Sequence, residues 1–143
     1  MTEGPQAPEP GEALEAQRAA LGRVRLGVLA LLAGCAVVGV VHGGPGPSPA
    51  DPRLGTPITI LAVMIGLGSV FARQLANLAS VAPASRVGWS LLSYVCAGAL
   101  GLAGLTVTFL LGDGTRGLLY AAAGVIFAIR PPPHFGPGST TPR

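Results

Sequence analysis

The chain has 143 residues, half of them hydrophobic and a tenth charged, and its formal net charge of +3 is carried by arginine without a single lysine. Soluble domains carry about 25% charged residues, so this deficit argues against a water-soluble core. The arginines flank apolar runs rather than gathering on one face among aromatics, which argues against nucleic-acid binding.

Residues 1–20 read as a disordered or cytoplasmic N-terminal segment. Met1–Gly11 is rich in Pro and Glu and has little to bury. From Glu12 the residues are good helix formers, and a helix is expected to run into the first apolar stretch or lie at the interface before it. Four stretches then contain no ionised side chain: Leu26–Val41, Leu54–Ala72, Val87–Leu111 and Gly117–Ile129. Residues 21–130 are therefore read as a four-helix transmembrane domain, with spans about 24–43, 54–73, 87–111 and 115–130. The expected fold is all-α, a polytopic membrane bundle with short loops and disordered termini.

The first stretch is short against the ~20 residues that cross the hydrocarbon, and Arg25 must snorkel to extend it. Ser48–Ala50 only loosely resembles a signal-peptidase site, so this span is read as retained. Pro57 is expected in the first turn of the second span, where proline is tolerated. The third stretch is the longest. The fourth has thirteen residues between Arg116 and Arg130, about 20 Å of helix, and a buried half-span competes with a full crossing. His42–Arg53 is a Gly/Pro-rich loop, and Gly112–Arg116 is a tight turn. Residues 131–143, beginning with three prolines, form a disordered cytoplasmic tail.

Arg18, Arg23, Arg25, Arg73, Arg86, Arg130 and Arg143 fall on one side if four helices cross. Arg53 and Arg116 fall on the other, near Asp51 and Asp113. The positive-inside rule then puts both termini in the cytoplasm. Heavy use of Ala, Gly, Pro and Arg suggests a GC-rich genome, and the expected location is the bacterial inner membrane.

Each span carries a stripe of small or weakly polar residues at helical spacing, the pattern that lets membrane helices approach closely. The stripes are Gly27, Ala30 and Gly34; Thr59, Ala62, Gly66 and Ser69; Ser90, Tyr94, Ala97, Gly101, Gly104 and Thr108; and Gly117, Ala121, Gly124 and Ala128. All four are expected to face inward.

The absence of intramembrane charge removes the usual signs of a membrane mechanism. No catalytic, cofactor-binding or metal-ligating residue is assigned. Cys35 and Cys96 lack zinc spacing and are read as small apolar fillers at a shared depth rather than a redox pair. His42 and His134 lie on opposite sides. Ser90, Ser93 and Tyr94 form the most polar spot inside a span, read either as part of a substrate or ion path or as hydroxyls bonding the preceding turn or a neighbouring helix, and Ser90, Tyr94 and Thr108 are the candidates for polar packing or pore lining. Asp113 and Arg116 form either a functional pair or a turn residue beside a snorkelling arginine.

In size and span count the chain is similar to small four-helix drug exporters. That family carries a Glu in its first helix to couple protons, and the first span here has none. The function expected is a non-enzymatic accessory or interaction subunit, with the lipid bilayer, a membrane-protein partner or further copies of itself as partners. The alternative is an oligomeric small-solute transporter or channel.

Overall fold

Proline and glycine set the helix boundaries. The structure is a computed structural model, and it describes residues 10–42, 52–78 and 81–130. It contains four helices: α1 (Pro10–His42), α2 (Pro52–Asn77), α3 (Pro83–Leu111) and α4 (Gly114–Ile129). Three of them begin or nearly begin on proline, whose fixed φ suits the first turn and whose missing N–H costs nothing there. Ala82, just before Pro83, is held extended with ψ 143°, as the proline ring demands of its predecessor. Arg130, just before Pro131, is extended with ψ 130° and ends α4 for the same reason.

The link between α3 and α4 is two residues long. Gly112 closes α3 in the left-handed region at φ 64°, which glycine enters without a Cβ penalty. Asp113 then caps α4, its Oδ1 accepting from the Arg116 backbone N–H at 3.0 Å. This is the tight turn expected from Gly112–Arg116.

Helix bounds differ from the expected spans in several places. α1 already runs from Pro10, so residues 10–20 are helical. They are exposed where described, over about 16 Å of helix. α2 starts at Pro52, which moves Pro57 from the first turn into the second. The helix gains an early turn and tolerates one missing donor near its end. α3 starts at Pro83, a turn before Val87. Residues 1–9, the loop 43–51 and the tail 131–143 lie outside the described residues.

Three helices, over Glu15–His42, Gly55–Asn77 and Ser85–Leu111, are long and apolar enough to cross a membrane. α4 has sixteen residues, about 24 Å, and falls short of that length.

The helices alternate in direction. α3 packs against all three others; α4 packs against α3 and α1 and meets α2 only lightly. The consecutive helices α1 and α2 do not touch each other among the described residues. α1 and α2 thus occupy the far corners on either side of a central α3–α4 pair.

That pair approaches unusually closely. A Cβ added at Gly104 would lie 2.5 Å from the Gly117 carbonyl oxygen, and one added at Gly117 would lie 2.7 Å from the Gly104 carbonyl oxygen. Backbone faces backbone there, and no side chain fits on either helix. One turn further along, the small residues make a socket instead. Leu32 of α1 is fully buried, and its Cδ2 would lie 2.5 Å from a Cβ at Gly101 and 2.7 Å from one at Gly124.

The stripes of α2, α3 and α4 face inward. Ala62, Ser69, Ala97, Thr108, Ala121 and Ala128 are all buried. The stripe expected of α1 faces outward. Gly27, Ala30 and Gly34 are exposed, and a Cβ at either glycine would meet nothing within 4 Å. α1 buries Leu21, Leu32 and Cys35 instead. The reason is complementarity: α3 and α4 already present hollows, and α1 fills them with large side chains.

The large apolar side chains that remain point outward, among them Leu26, Phe71, Val95, Phe109, Leu110 and Ile126. The interior combines Ala, Gly, Ser and Thr with a few large side chains, Leu21, Leu32, Tyr94, Leu100, Val107 and Leu111, and the exterior is rich in Leu, Val, Ile and Phe. Large apolar side chains cover far more of the outside than a water-soluble bundle exposes.

Candidate functional site

The polar groups of the described residues gather at the two ends of the bundle. One end holds Asp113. Its carboxylate is buried, caps α4, and forms an ion pair with Arg116, Oδ2 to Nε 3.0 Å. Arg116 lies over the start of α2, with Nη1 3.5 Å from where a Gly55 Cβ would be. Nearby, the Tyr120 hydroxyl donates to Thr59 Oγ1 at 3.0 Å, and Thr59 donates to the Gly55 carbonyl at 2.9 Å. Together these groups fasten α4 to the first turns of α2. Each has a structural partner, and the geometry accounts for Asp113 and Arg116 as a turn and a clasp.

The opposite end is basic. Arg25 of α1 donates from Nε to the Ala128 carbonyl at 3.2 Å and from Nη2 to the Ile129 carbonyl. The Tyr94 hydroxyl donates to the Arg130 carbonyl at 3.3 Å. The last carbonyls of a helix have no partner within it and carry partial negative charge. Here a guanidinium from α1 and a phenol from α3 satisfy three of them. The sequence marked Arg25 only as a flanking charge.

Beside this cap is a cleft of about 40 Å³ lined by Ser69, Val70, Arg73, Gln74, Ser93, Phe127 and Arg130. Ser69 and Ser93 are buried, their hydroxyls 3.1 Å apart, and Ser69 Oγ also lies 3.2 Å from the Ser93 carbonyl. Their bond joins α2 to α3. Among the described residues no carboxylate lines the cleft. The described carboxylates are Glu12 and Glu15, on the exposed first turns of α1, and Asp113 at the far end.

The three polar candidates from sequence all lie on the inward face of α3, along its length rather than in one place. Tyr94 is fully buried against Leu21 and reaches Arg130. Thr108 donates to the Gly104 carbonyl one turn back, at 3.0 Å. Ser90 is fully buried, and its hydroxyl has no partner among the described residues. The expected bond to the preceding turn forms at Thr59, Thr106 and Thr108 and is absent at Ser90.

Cys35 and Cys96 are both free. Cys35 lies against Gly101, 3.5 Å from an added Cβ. Gly101 is five residues beyond Cys96, about 7.5 Å along α3, so the expected shared depth does not hold. No group of three or more His, Cys, Asp and Glu that could hold a metal occurs among the described residues.

The cleft was missed in the sequence because its residues were assigned separately, Ser93 to the polar spot with Ser90 and Tyr94. Ser69 was placed in a packing stripe, and Arg73 and Arg130 were counted as flanking charges. The spacing Ser69-x-x-x-Arg73 does put a hydroxyl and a guanidinium on one face at the end of an apolar run. Comparison with protein-family profiles, curated proteins and solved structures finds no match to this chain.

Proposed function

We propose that this chain is a multi-pass integral membrane protein of the bacterial inner membrane, with both termini cytoplasmic. Its role on this reading is that of a non-enzymatic accessory or interaction subunit, which packs against a membrane helix of a partner or of a second copy. The apolar exterior supports membrane burial: large apolar side chains cover the outside. The arginine distribution supports the orientation.

The observation that carries the interaction reading is the uncovered face of α1. Gly27, Ala30 and Gly34 are the kind of residues that the other three helices use for close contact, and here no other described residue covers them. In lipid, such a face allows a second helix to approach closely and gain dispersion contacts.

The test is purification of the tagged protein from its own membranes in nanodiscs, with particle mass and composition measured. The reading expects a stoichiometric partner or a second copy, lost when Gly27 and Gly34 are both replaced by leucine. A particle holding one 14.2 kDa chain and no other protein would refute it. The oligomeric transporter or channel ranks second. It would require Ser90, Tyr94 and Thr108 to leave the interhelical contacts that bury them. Flux through proteoliposomes, abolished by Ser90→Ala or Tyr94→Phe with assembly intact, would bring it forward.

A further inference from the structure

α1 packs on α3 and α4 and makes no contact with α2 among the described residues. Its side away from them carries Arg23, Gly27, Ala30, Gly34, Val37 and Val41, all exposed. Their spacing alternates four and three residues from end to end, the 3.5-residue repeat of a helix seam. From Arg23 to Val41 the seam rises about 27 Å, close to a ~30 Å hydrocarbon core. Its small residues lie beside Arg23 and its valines at the other end. A helix laid on this seam therefore comes closest next to the guanidinium. Arg23 is exposed, and no described residue bonds or pairs with it. Arg25, two residues on, is turned the other way, onto the end of α4. One flanking arginine is used inside the chain and the other is left on the seam.

We propose that this face docks one membrane helix of a different protein, which lays small residues against Gly27, Ala30 and Gly34 and sets an Asp or Glu against Arg23. This rests on the interaction reading above and names the partner's chemistry. Charge selects a foreign helix over a second copy. Two α1 helices inserted alike in one membrane run parallel, so Arg23 would meet Arg23 where the backbones are closest. Like charges opposed at a contact disfavour it. No other part of a second copy brings an acid to that level. The chain's six acidic residues are Glu3, Glu9, Glu12, Glu15, Asp51 and Asp113. Glu15, the nearest in sequence, is eight residues before Arg23, about 12 Å along α1. Asp51 follows the far end of α1 in sequence, and Asp113 already pairs with Arg116. The stretches 73–86 and 130–143, at the other span ends on the side of Arg23, contain no acid. A lipid phosphate matches the cation and leaves the small-residue seam unused. An acidic helix with a small-residue face uses both.

The experiment places the full-length protein, labelled at its C-terminus, in phosphatidylcholine vesicles with one of three synthetic membrane helices. Each probe is a leucine-rich span with glycine and alanine at the same 3.5-residue spacing, and each carries Glu, Gln or Arg level with Arg23. Förster transfer measures association. The Glu probe should associate about two- to fivefold more tightly than the Gln probe, with the Arg probe weakest, and added salt should shrink the difference. Arg23→Gln should erase the order and Arg23→Glu should invert it. Leucine at both Gly27 and Gly34 should weaken all three probes. Far-UV helicity and a single elution peak establish that each variant is folded, and Arg23→Gln decides the matter if Arg23→Glu is not. Equal association of the Glu and Gln probes would overturn the proposal and leave the interaction reading standing. So would stronger transfer between two labelled copies than to the Glu probe, which would make a second copy the occupant. A Glu preference that survives both leucines would mark surface attraction alone and overturn it too. No association with any probe would also overturn it, and the interaction reading falls as well if the chain then purifies alone from its own membranes.

Discussion

Helices α1 and α3 carry the same kind of small-residue stripe and use it in opposite ways. On α3 the stripe from Ser90 to Thr108 is buried from end to end, against α1 on one side and α4 on another. On α1 the stripe Gly27, Ala30 and Gly34 looks outward, and the buried face is made of Leu21, Leu32 and Cys35. The difference lies in what each neighbour offers. α3 and α4 meet small against small, so backbones touch at Gly104 and Gly117. α1 meets a surface already hollowed at Gly101 and Gly124, and a large side chain is what fits a hollow. A small-residue stripe marks a helix face capable of close approach. Whether that face is used depends on the shape opposite.

The contrast can be broken most severely at the α3–α4 crossing. A Cβ at Gly117 would lie 2.0 Å from Thr108 Oγ1 and 2.7 Å from the Gly104 carbonyl oxygen. The hydroxyl can rotate away, but the carbonyl cannot. Gly117→Ala should therefore push the helices apart, at a cost at or above the ~1–3 kcal/mol typical of overpacked cores. Gly117→Leu should abolish the folded bundle. Unfolding in mixed micelles, followed by circular dichroism and the near-ultraviolet signal of Trp89, measures both. A neutral Gly117→Ala would mean that α3 and α4 are not in backbone contact.

Next comes the socket. Leu32→Ala empties the hollow between Gly101 and Gly124. In a soluble core such a change costs about 2–5 kcal/mol, part of it lost transfer from water. On the membrane reading the unfolded reference for Leu32 is lipid, so the transfer part is small and the cavity and lost dispersion remain. The expected cost is about 1–3 kcal/mol by the same unfolding measurement. A cost near zero would show that α1 is only loosely held.

A smaller effect is expected at the cap. Arg25→Gln removes the guanidinium that serves the Ala128 and Ile129 carbonyls. Charge at a helix C-terminus is worth roughly 0.3–1 kcal/mol, more when partly buried. The change should appear locally, as faster amide exchange in the final turn of α4 with little loss elsewhere. Exchange rising throughout the bundle would instead make Arg25 the main link between α1 and α4.

How far all this was legible in the sequence follows the same contrast. The four helices, the Gly112–Asp113 turn and three of the four inward faces came from apolar runs, proline positions and residue size, which act locally. The α1 face did not, because nothing in α1 states the shape of α3 and α4. The pairing of Arg25 with the end of α4, 103 residues away, was illegible for a related reason. A flanking arginine and a helix-end carbonyl are each ordinary, and only the fold brings them together. The cleft of Arg73 and Arg130 arises in the same way, from two separate span ends that meet.

The smallest stability effect is expected on the exposed face of α1, and it bears most directly on function. Gly27 and Gly34 have nothing within 4 Å of an added Cβ. Gly34→Ala should therefore leave the single chain unchanged or stabilise it by up to about 1 kcal/mol, since alanine is the better helix former. That sign is opposite to Gly117→Ala, although both replace glycine with alanine in a helix. On the interaction reading, a second measurement should move the other way. Added bulk at Gly27 and Gly34 holds a partner helix off, so association should weaken as the substituent grows from alanine to leucine. Single-chain stability and particle mass, measured on the same variants, separate the two effects. Stability gained while assembly is lost identifies α1 as a contact surface. Stability gained with the assembly unchanged would leave the outward stripe facing lipid alone, and the partner surface would have to be sought elsewhere on the bundle.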